Sequence, residues 1–324
     1  MGDYVFNRAC SDTPFTDPDA ALDSVADWLT GLAVLDGGEA ELPSFRSDAD
    51  PWVIPICDCR VQGPKSLGEL AHSLYGTIHH DAASYFDALL KMTPSEAGLS
   101  EAVVEAVLRL TPKGRAPGFE EVFEAVEAAD FDVGMCAASQ STLVGLVSDP
   151  IWDQDAFHFM VDDSAYMVDH VASSNHAASV KLRRIAGLRG GLTARNFGAV
   201  RTKAFPNLSF GAEVDGQLAK FSANLLPLLF RRLADLDVRA ADWKRSPLPD
   251  FPDGSPEITP ETAETMLRYG ADRRFRSSNG TLLTYEEHIW VDGLHRIHIF
   301  RDTAEKTVEV GYVGPHLPTM KYRT

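Results

Sequence analysis

Apolar positions recur along this chain with two periods, one helical and one strand-like. After Asp17-Pro18, Leu22, Val25, Trp28, Leu29 and Leu32 follow helical spacing until Gly37-Gly38, so an N-capped helix is predicted there. "WVIPIC" (52–57) reads as a short buried strand, placed at an edge by Pro55. Ser66 and Glu69 have capping-box spacing and open a helix to about Lys91. Two amphipathic helices with outward glutamates are predicted over 100–110 and 119–129, a strand over 141–148, and a helix ending near Leu188. Residues 212–236 form a strongly amphipathic stretch in which Pro227 predicts a kink.

"SPLPDFPDGSP" (246–256) carries four prolines and a glycine and reads as an extended linker. Beyond it, Thr259 and Pro260 cap a short helix ending at Gly270. Three strand candidates follow: "TLLTYEEHIW", "LHRIHIF" and "TVEVGYV". The chain therefore reads as α+β, a mixed helical N-terminal portion with short strands plus a C-terminal helix-then-antiparallel-meander module. The expected divisions are an acidic portion (1–169), a basic band with its amphipathic helix (170–245), a linker (246–257) and a small α+β module (258–324).

Within that module, "HIWVDGLHRIHIF" (288–300) gathers three histidines and an arginine around Asp292-Gly293. A two-residue turn pairs Val291 with Leu294, Trp290 with His295, Ile289 with Arg296 and His288 with Ile297. Strand alternation then places His288 and His295 on one face and Arg296 and His298 on the other. One face is expected to pack and the other to stay open.

Charge sharpens the division. Net charge is −17, and residues 1–169 hold 30 acids against 8 bases. Residues 170–212 hold no acid and seven bases: Lys181, Arg183, Arg184, Arg189, Arg195, Arg201 and Lys203. Such a band suits sequence-independent contact with a nucleic-acid backbone, or docking onto the acidic half of the same chain. The acidic helices suit a partner protein. No apolar run approaches the roughly 20 residues of a membrane span, and the N-terminus lacks signal-peptide features, so a cytoplasmic location is expected. Four cysteines, with only Cys57 and Cys59 close, read as buried reduced thiols.

The elements after residue 258, with "RRFRSSNG", "HRIHIF" and "VGYVGPH", resemble the small RelE/ParE-type toxin fold in its HigB-like branch. That resemblance, over about 65 residues, implies ribosome-dependent mRNA cleavage or gyrase poisoning. It would place Arg296 at the central-strand phosphate position, Arg276 before the meander, and His316, Lys321 and Tyr322 in the basic tail. The remainder, including "FPNLSFGAEVDGQL", is similar to bacterial proteins encoded beside antiviral defence genes. Metal-free RNA cleavage needs a base, an acid and a cation, roles open to His298 or His316, Tyr322 and Arg296. The alternative is that these side chains make only cross-strand contacts. His79, His80 and Asp81 lack helical metal spacing, and Asp153, Asp155, His158, Asp162 and Asp163 read as a solvated acidic loop. Neither a metal nor another cofactor is expected. The leading reading is a nucleic-acid-associated subunit of an antiviral defence system. The other is a metal-independent endoribonuclease.

Overall fold

A computed structural model describes residues 3–37, 42–59, 61, 63–92, 101–110, 114–115 and 123–320. The protein is α+β, and it divides into two units, residues 1–183 and 184–324.

The first unit is built on β1 (Tyr4–Phe6), α1 (Pro18–Asp36), β2 (Phe45–Arg46), β3 (Pro55–Cys59), β4 (Gly63–Ser66), α2 (Leu67–Ser73), α3 (His80–Lys91), α4 (Glu101–Leu110), β5 (Gly114–Arg115), α5 (Phe123–Ala128), α6 (Asp130–Ser139), β6 (Thr142–Val144), β7 (Ala156–Val161) and β8 (Ser164–Val171). Six strands form one sheet in the order β2-β1-β6-β8-β7-β5, parallel from β2 through β8 and antiparallel beyond. Asp17 caps α1 by accepting from the Asp19 amide, and Gly37 ends it in the left-handed conformation (φ 65°). Its apolar stripe carries Trp28, which packs edge-on against Phe6 and Phe86. The Ser66/Glu69 capping box forms, yet α2 stops at Ser73 and α3 begins afresh at His80. All four cysteines are buried and none is in a disulfide. The acidic stretch after Trp152 is not wholly a loop, because it feeds directly into β7.

Helix α7 (Ser174–Gly190) runs through the division between the units. The second unit continues with α8 (Phe197–Ala204), β9 (Leu208–Phe210), α9 (Val214–Leu218), α10 (Leu226–Arg245), β10 (Ile258–Pro260), α11 (Ala263–Tyr269), β11 (Arg274–Arg276), β12 (Leu282–Thr284), β13 (Glu287–Trp290), β14 (His295–Asp302) and β15 (Thr307–Pro315). Pro227 does not kink a helix. It sits in the first turn of α10, where its missing N–H costs nothing.

Five strands form the sheet β10-β13-β14-β15-β9. The meander is antiparallel, as expected, but β9 closes the edge parallel to β15. One face carries Ile289, Ile297, Ile299, Val308 and Val310, in a single core with Phe197, Phe205, Leu229, Leu233, Leu236 and Trp243. The predicted boundary at 246–257 is therefore corrected: the meander shares its sheet and core with residues from 197 onward. The proline-rich stretch is fastened to α10, since Trp243 Nε1 donates to the Pro249 carbonyl (2.8 Å) and Arg239 Nε to that of Pro252 (3.2 Å). No described helix is long and apolar enough to cross a membrane.

Burying a side chain such as Leu233 contributes roughly 1.5–3 kcal/mol, and truncating it also leaves a cavity. Leu233→Ala should lower stability in urea unfolding by about 2–5 kcal/mol. Leu267→Ala, at a side chain 91% exposed, should change it by less than about 0.5 kcal/mol. Equal losses would contradict the assigned core.

Candidate metal centre

The β13–β14 turn has three residues, not two. Asp292 Oδ1 accepts from the amides of Leu294 (2.8 Å) and His295 (2.7 Å), and the Val291 amide donates to the His295 carbonyl (3.0 Å). Pairing thus shifts by one residue: Trp290 faces Arg296, Ile289 faces Ile297 and His288 faces His298. A one-residue shift turns a strand over. His288, Trp290, Arg296 and His298 therefore share one face, His295 is left on the other, and the expected split of the cluster is corrected.

That shared face is not open. Arg296 and His298 are each 1% exposed, and His288 6%. Beyond the pair, β14 and β15 shift register after His298, so that Tyr312 lies opposite His298 and Val310 opposite Ile299. Gly311 lies between them, and any side chain there would run into the Tyr285 ring. The Tyr285 ring packs against Gly311, and its carbonyl meets His298 Nδ1.

Three donors converge on this face. Glu261 follows β10, and its amide is held by the Glu286 carbonyl (2.9 Å). Its Oε1 accepts from Arg273 Nε (3.0 Å) and Nη2 (2.7 Å). Arg273 is fully buried, and its remaining bonds go to the carbonyls of Tyr269 (3.1 Å) and Pro318 (3.0 Å). His298 Nδ1 lies 2.9 Å from the Tyr285 carbonyl. A carbonyl only accepts, so Nδ1 carries the proton and Nε2 keeps a lone pair. His288 Nδ1 lies 3.8 Å from Glu261 Oε1, too far for a hydrogen bond, and has no hydrogen-bond partner among the described residues.

One ligand atom each from Glu261, His288 and His298 lies within 4.8 Å of the other two. Donors bound to one ion at about 2.0–2.2 Å stand on the order of 3–4 Å apart, so small side-chain rotations would close the set around a metal. Two imidazoles and one carboxylate suit a divalent transition ion and leave coordination positions unfilled. The Tyr285 carbonyl fixes the His298 ring as an outer-shell partner does in metal sites. Burial pushes His298 down to about 3, against the raising effect of its bond to Tyr285. Burial likewise lowers His288 to about 4, with the Glu261 charge opposing and the Arg296, His316 and Arg273 charges assisting. Both rings are thus neutral, the form that ligates.

The predicted catalytic residues Arg296, His298 and His316 fall in this one neighbourhood. Arg296 lies across the Trp290 ring, and its Nη1 donates to the carbonyls of His295 (2.9 Å) and Asp292 (3.1 Å). His316 is half-buried beside Trp290, with Nδ1 on the Leu317 carbonyl (2.7 Å). Tyr322 and Lys321 lie outside the described residues.

Four bases of the band are engaged within their own units. Arg183 pairs with Asp155 (2.8 Å) and Asp169, Arg189 with Asp237 (2.7 Å), and Arg201 with Asp215 (2.8 Å). Lys181 Nζ donates to the Val34 carbonyl (2.8 Å). Arg184 is half-buried, Lys203 and Arg195 are exposed, and exposed Arg276 donates to the Gly280 carbonyl (3.3 Å).

Sequence reading missed Glu261, Arg273 and the pairing of His288 with His298. The one available signal was Asp292, whose short carboxylate favours local bonds to amides two and three residues on. No family model, curated protein or solved structure matches this chain.

Both histidines have pKa values below the ordinary 6.5, so the folded state binds fewer protons than the unfolded chain once pH falls below that value. Their contribution to stability is present above pH 6.5 and is lost progressively as pH drops toward 4. In EDTA-treated protein, His288→Gln should flatten the pH dependence of stability in this window. An unchanged slope would contradict the burial argument.

Proposed function

We propose that this protein binds a divalent transition-metal ion through Glu261, His288 and His298, in a centre of the reactive rather than the structural kind. The observation that carries this reading is the convergence of two neutral buried imidazoles and a carboxylate, with His288 Nδ1 unpartnered among the described residues. A buried polar atom without a partner costs about 1–3 kcal/mol, and a metal ligand bond offsets that cost. Three protein donors leave room for a water or substrate, as in catalytic sites, whereas structural zinc sites are closed by four. A metal there would act as a Lewis acid or lower the pKa of a bound water.

A nucleic-acid-associated role in antiviral defence has narrower support. It rests on the acid-free composition of residues 170–212 and on exposed Arg195 and Arg276, while three other arginines are occupied by carboxylates. The metal-independent endoribonuclease reading needs Arg296 and His298 on an accessible face, and both are buried. The RelE-like likeness is retained only as a proposal about ancestry.

Metal-stripped protein titrated with Co²⁺ or Zn²⁺ should take up one equivalent by calorimetry and elemental analysis. His288→Ala and His298→Ala should each weaken binding by at least about 100-fold, while His72→Ala, on the exposed side of α2, should not. Failure to bind either ion, or equal binding by both histidine variants, would overturn the proposal.

A further inference from the structure

A second cluster of buried polar atoms lies in the first unit, at the carboxyl ends of its parallel strands. Asn7 directly follows β1, Gly145 directly follows β6, and His170 is the last residue but one of β8. Strand order reverses here, with β2 on one side of β1 and β6 on the other. Open parallel sheets hold their ligands at such a reversal. The Asn7 amide donates to the Val144 carbonyl (2.7 Å) and the Gly145 amide to that of Val171 (3.1 Å), so both positions are fixed to the sheet. A β-carbon on Gly145 would stand 3.2 Å from Asn7 Cβ, 3.5 Å from Cys10 Sγ and 3.7 Å from His170 Nε2. Those are contact distances, so the glycine keeps room for a single heavy atom between the three side chains. Each of the three is at most 1% exposed.

His170 Nδ1 lies 2.7 Å from the Gln154 carbonyl, so Nδ1 carries the proton and Nε2 turns its lone pair toward Gly145. Phe157 stacks on the ring at 4.7 Å and holds it there. His170 Nε2 and both carboxamide atoms of Asn7 have no hydrogen-bond partner among the described residues. Neighbouring His176 differs, because its nitrogens meet the Ala172 amide (3.3 Å) and Asp153 (2.9 Å).

We infer that Cys10 Sγ and His170 Nε2, with Asn7 Oδ1 as a third donor, bind a monovalent thiophilic metal ion of the copper(I) class. Thiolate sulfur is the donor that such an ion selects, and imidazole suits copper as well. The bond to Gln154 is the outer-shell contact that orients a ligating ring. Burial keeps Cys10 as the thiol, pushed up to about 12, and His170 as the neutral imidazole, lowered to about 3. On binding, the S–H bond breaks, its proton leaves to solvent, and the sulfur electron pair bonds the ion. Bonds of about 2.0–2.3 Å are shorter than the present contacts, and rotation of the Cys10 side chain closes the difference. Thiolate and one positive charge then cancel, while His170 and Asn7 stay neutral. A divalent ion would leave one buried charge over, which is costly. This site shares no residue with the centre in the second unit and stands or falls without it.

The reduced full-length chain, stripped with EDTA, is titrated anaerobically with Cu⁺ against the chelator bicinchoninate. Bound copper should show a sulfur-to-copper charge-transfer band and, at the copper absorption edge, a shell of one sulfur completed by nitrogen or oxygen. That sulfur signature should vanish in Cys10→Ala. It should persist in His288→Ala, whose centre has no sulfur, and in Cys57→Ala/Cys59→Ala. His170→Gln should weaken the sulfur-bound copper by at least about 100-fold. Gly145→Ala leaves every donor in place and fills the space with a methyl group, so it should lose the signature while circular dichroism shows a native fold. A shell of two sulfurs would assign the copper to Cys57 and Cys59 and overturn the inference. Full retention of the signature in folded Cys10→Ala or Gly145→Ala would also overturn it. Absence of Cu⁺ uptake by the unmodified chain would leave the space to ordered water and overturn it outright.

Discussion

The Asp292 carboxylate, by accepting two consecutive amides, sets the length of one turn, and that length decides which face of β13 meets which face of β14. With a two-residue turn, His288 would lie opposite an isoleucine and the sheet would mix polar and apolar residues on both sides. With three, the apolar set (Ile289, Ile297, Ile299) seals against α10, and the polar set gathers on the reverse. Core and candidate site are thus two outcomes of the same register. The hydrophobic face holds the register in place, because slipping by one residue would turn its isoleucines onto the buried polar face and its histidines into the apolar core.

A buried polar layer is costly unless its members satisfy one another. Arg273 ties Glu261 to the carbonyls of Tyr269 and Pro318, so β10, the α11 region and the C-terminal tail are joined through one guanidinium. Arg296 does the same for the turn, with Trp290 as its platform. These bonds rigidify the surroundings of His288 and His298 while leaving His288 Nδ1 without a partner. Rigid surroundings around a ring nitrogen with no partner among the described residues are what a ligand site requires. A purely structural network would be expected to close on itself.

Much of the fold was legible where local rules act alone. The α1 cap and stop, the capping box at Ser66, and the three-stranded meander follow from spacing and residue type. What was not legible depended on distance in sequence. Strand β9 is three residues long and pairs with β15 about a hundred positions later, so nothing local separates it from a loop. Pro227 predicts a kink from sequence because helix starts and helix breaks use the same residue. The site was half visible: Arg296, His298 and His316 stand out in the sequence, but as the cation and acid–base groups of an open face for metal-free RNA cleavage. Glu261 and Arg273 reach it from segments whose neighbours are polar and unremarkable. The basic band misled for a related reason, since carboxylates that neutralise Arg189 and Arg201 come from beyond the acid-free window.

The central claim is that Glu261, His288 and His298 form one metal-ligating set. Crystals grown with Co²⁺ or Zn²⁺ and measured across the metal's absorption edge test it most directly. The account predicts a single anomalous peak in the second unit, about 2.0–2.2 Å from a carboxylate oxygen of Glu261 and one nitrogen of each histidine. Fully loaded crystals with no peak there, or with the ion held by other residues, would contradict it.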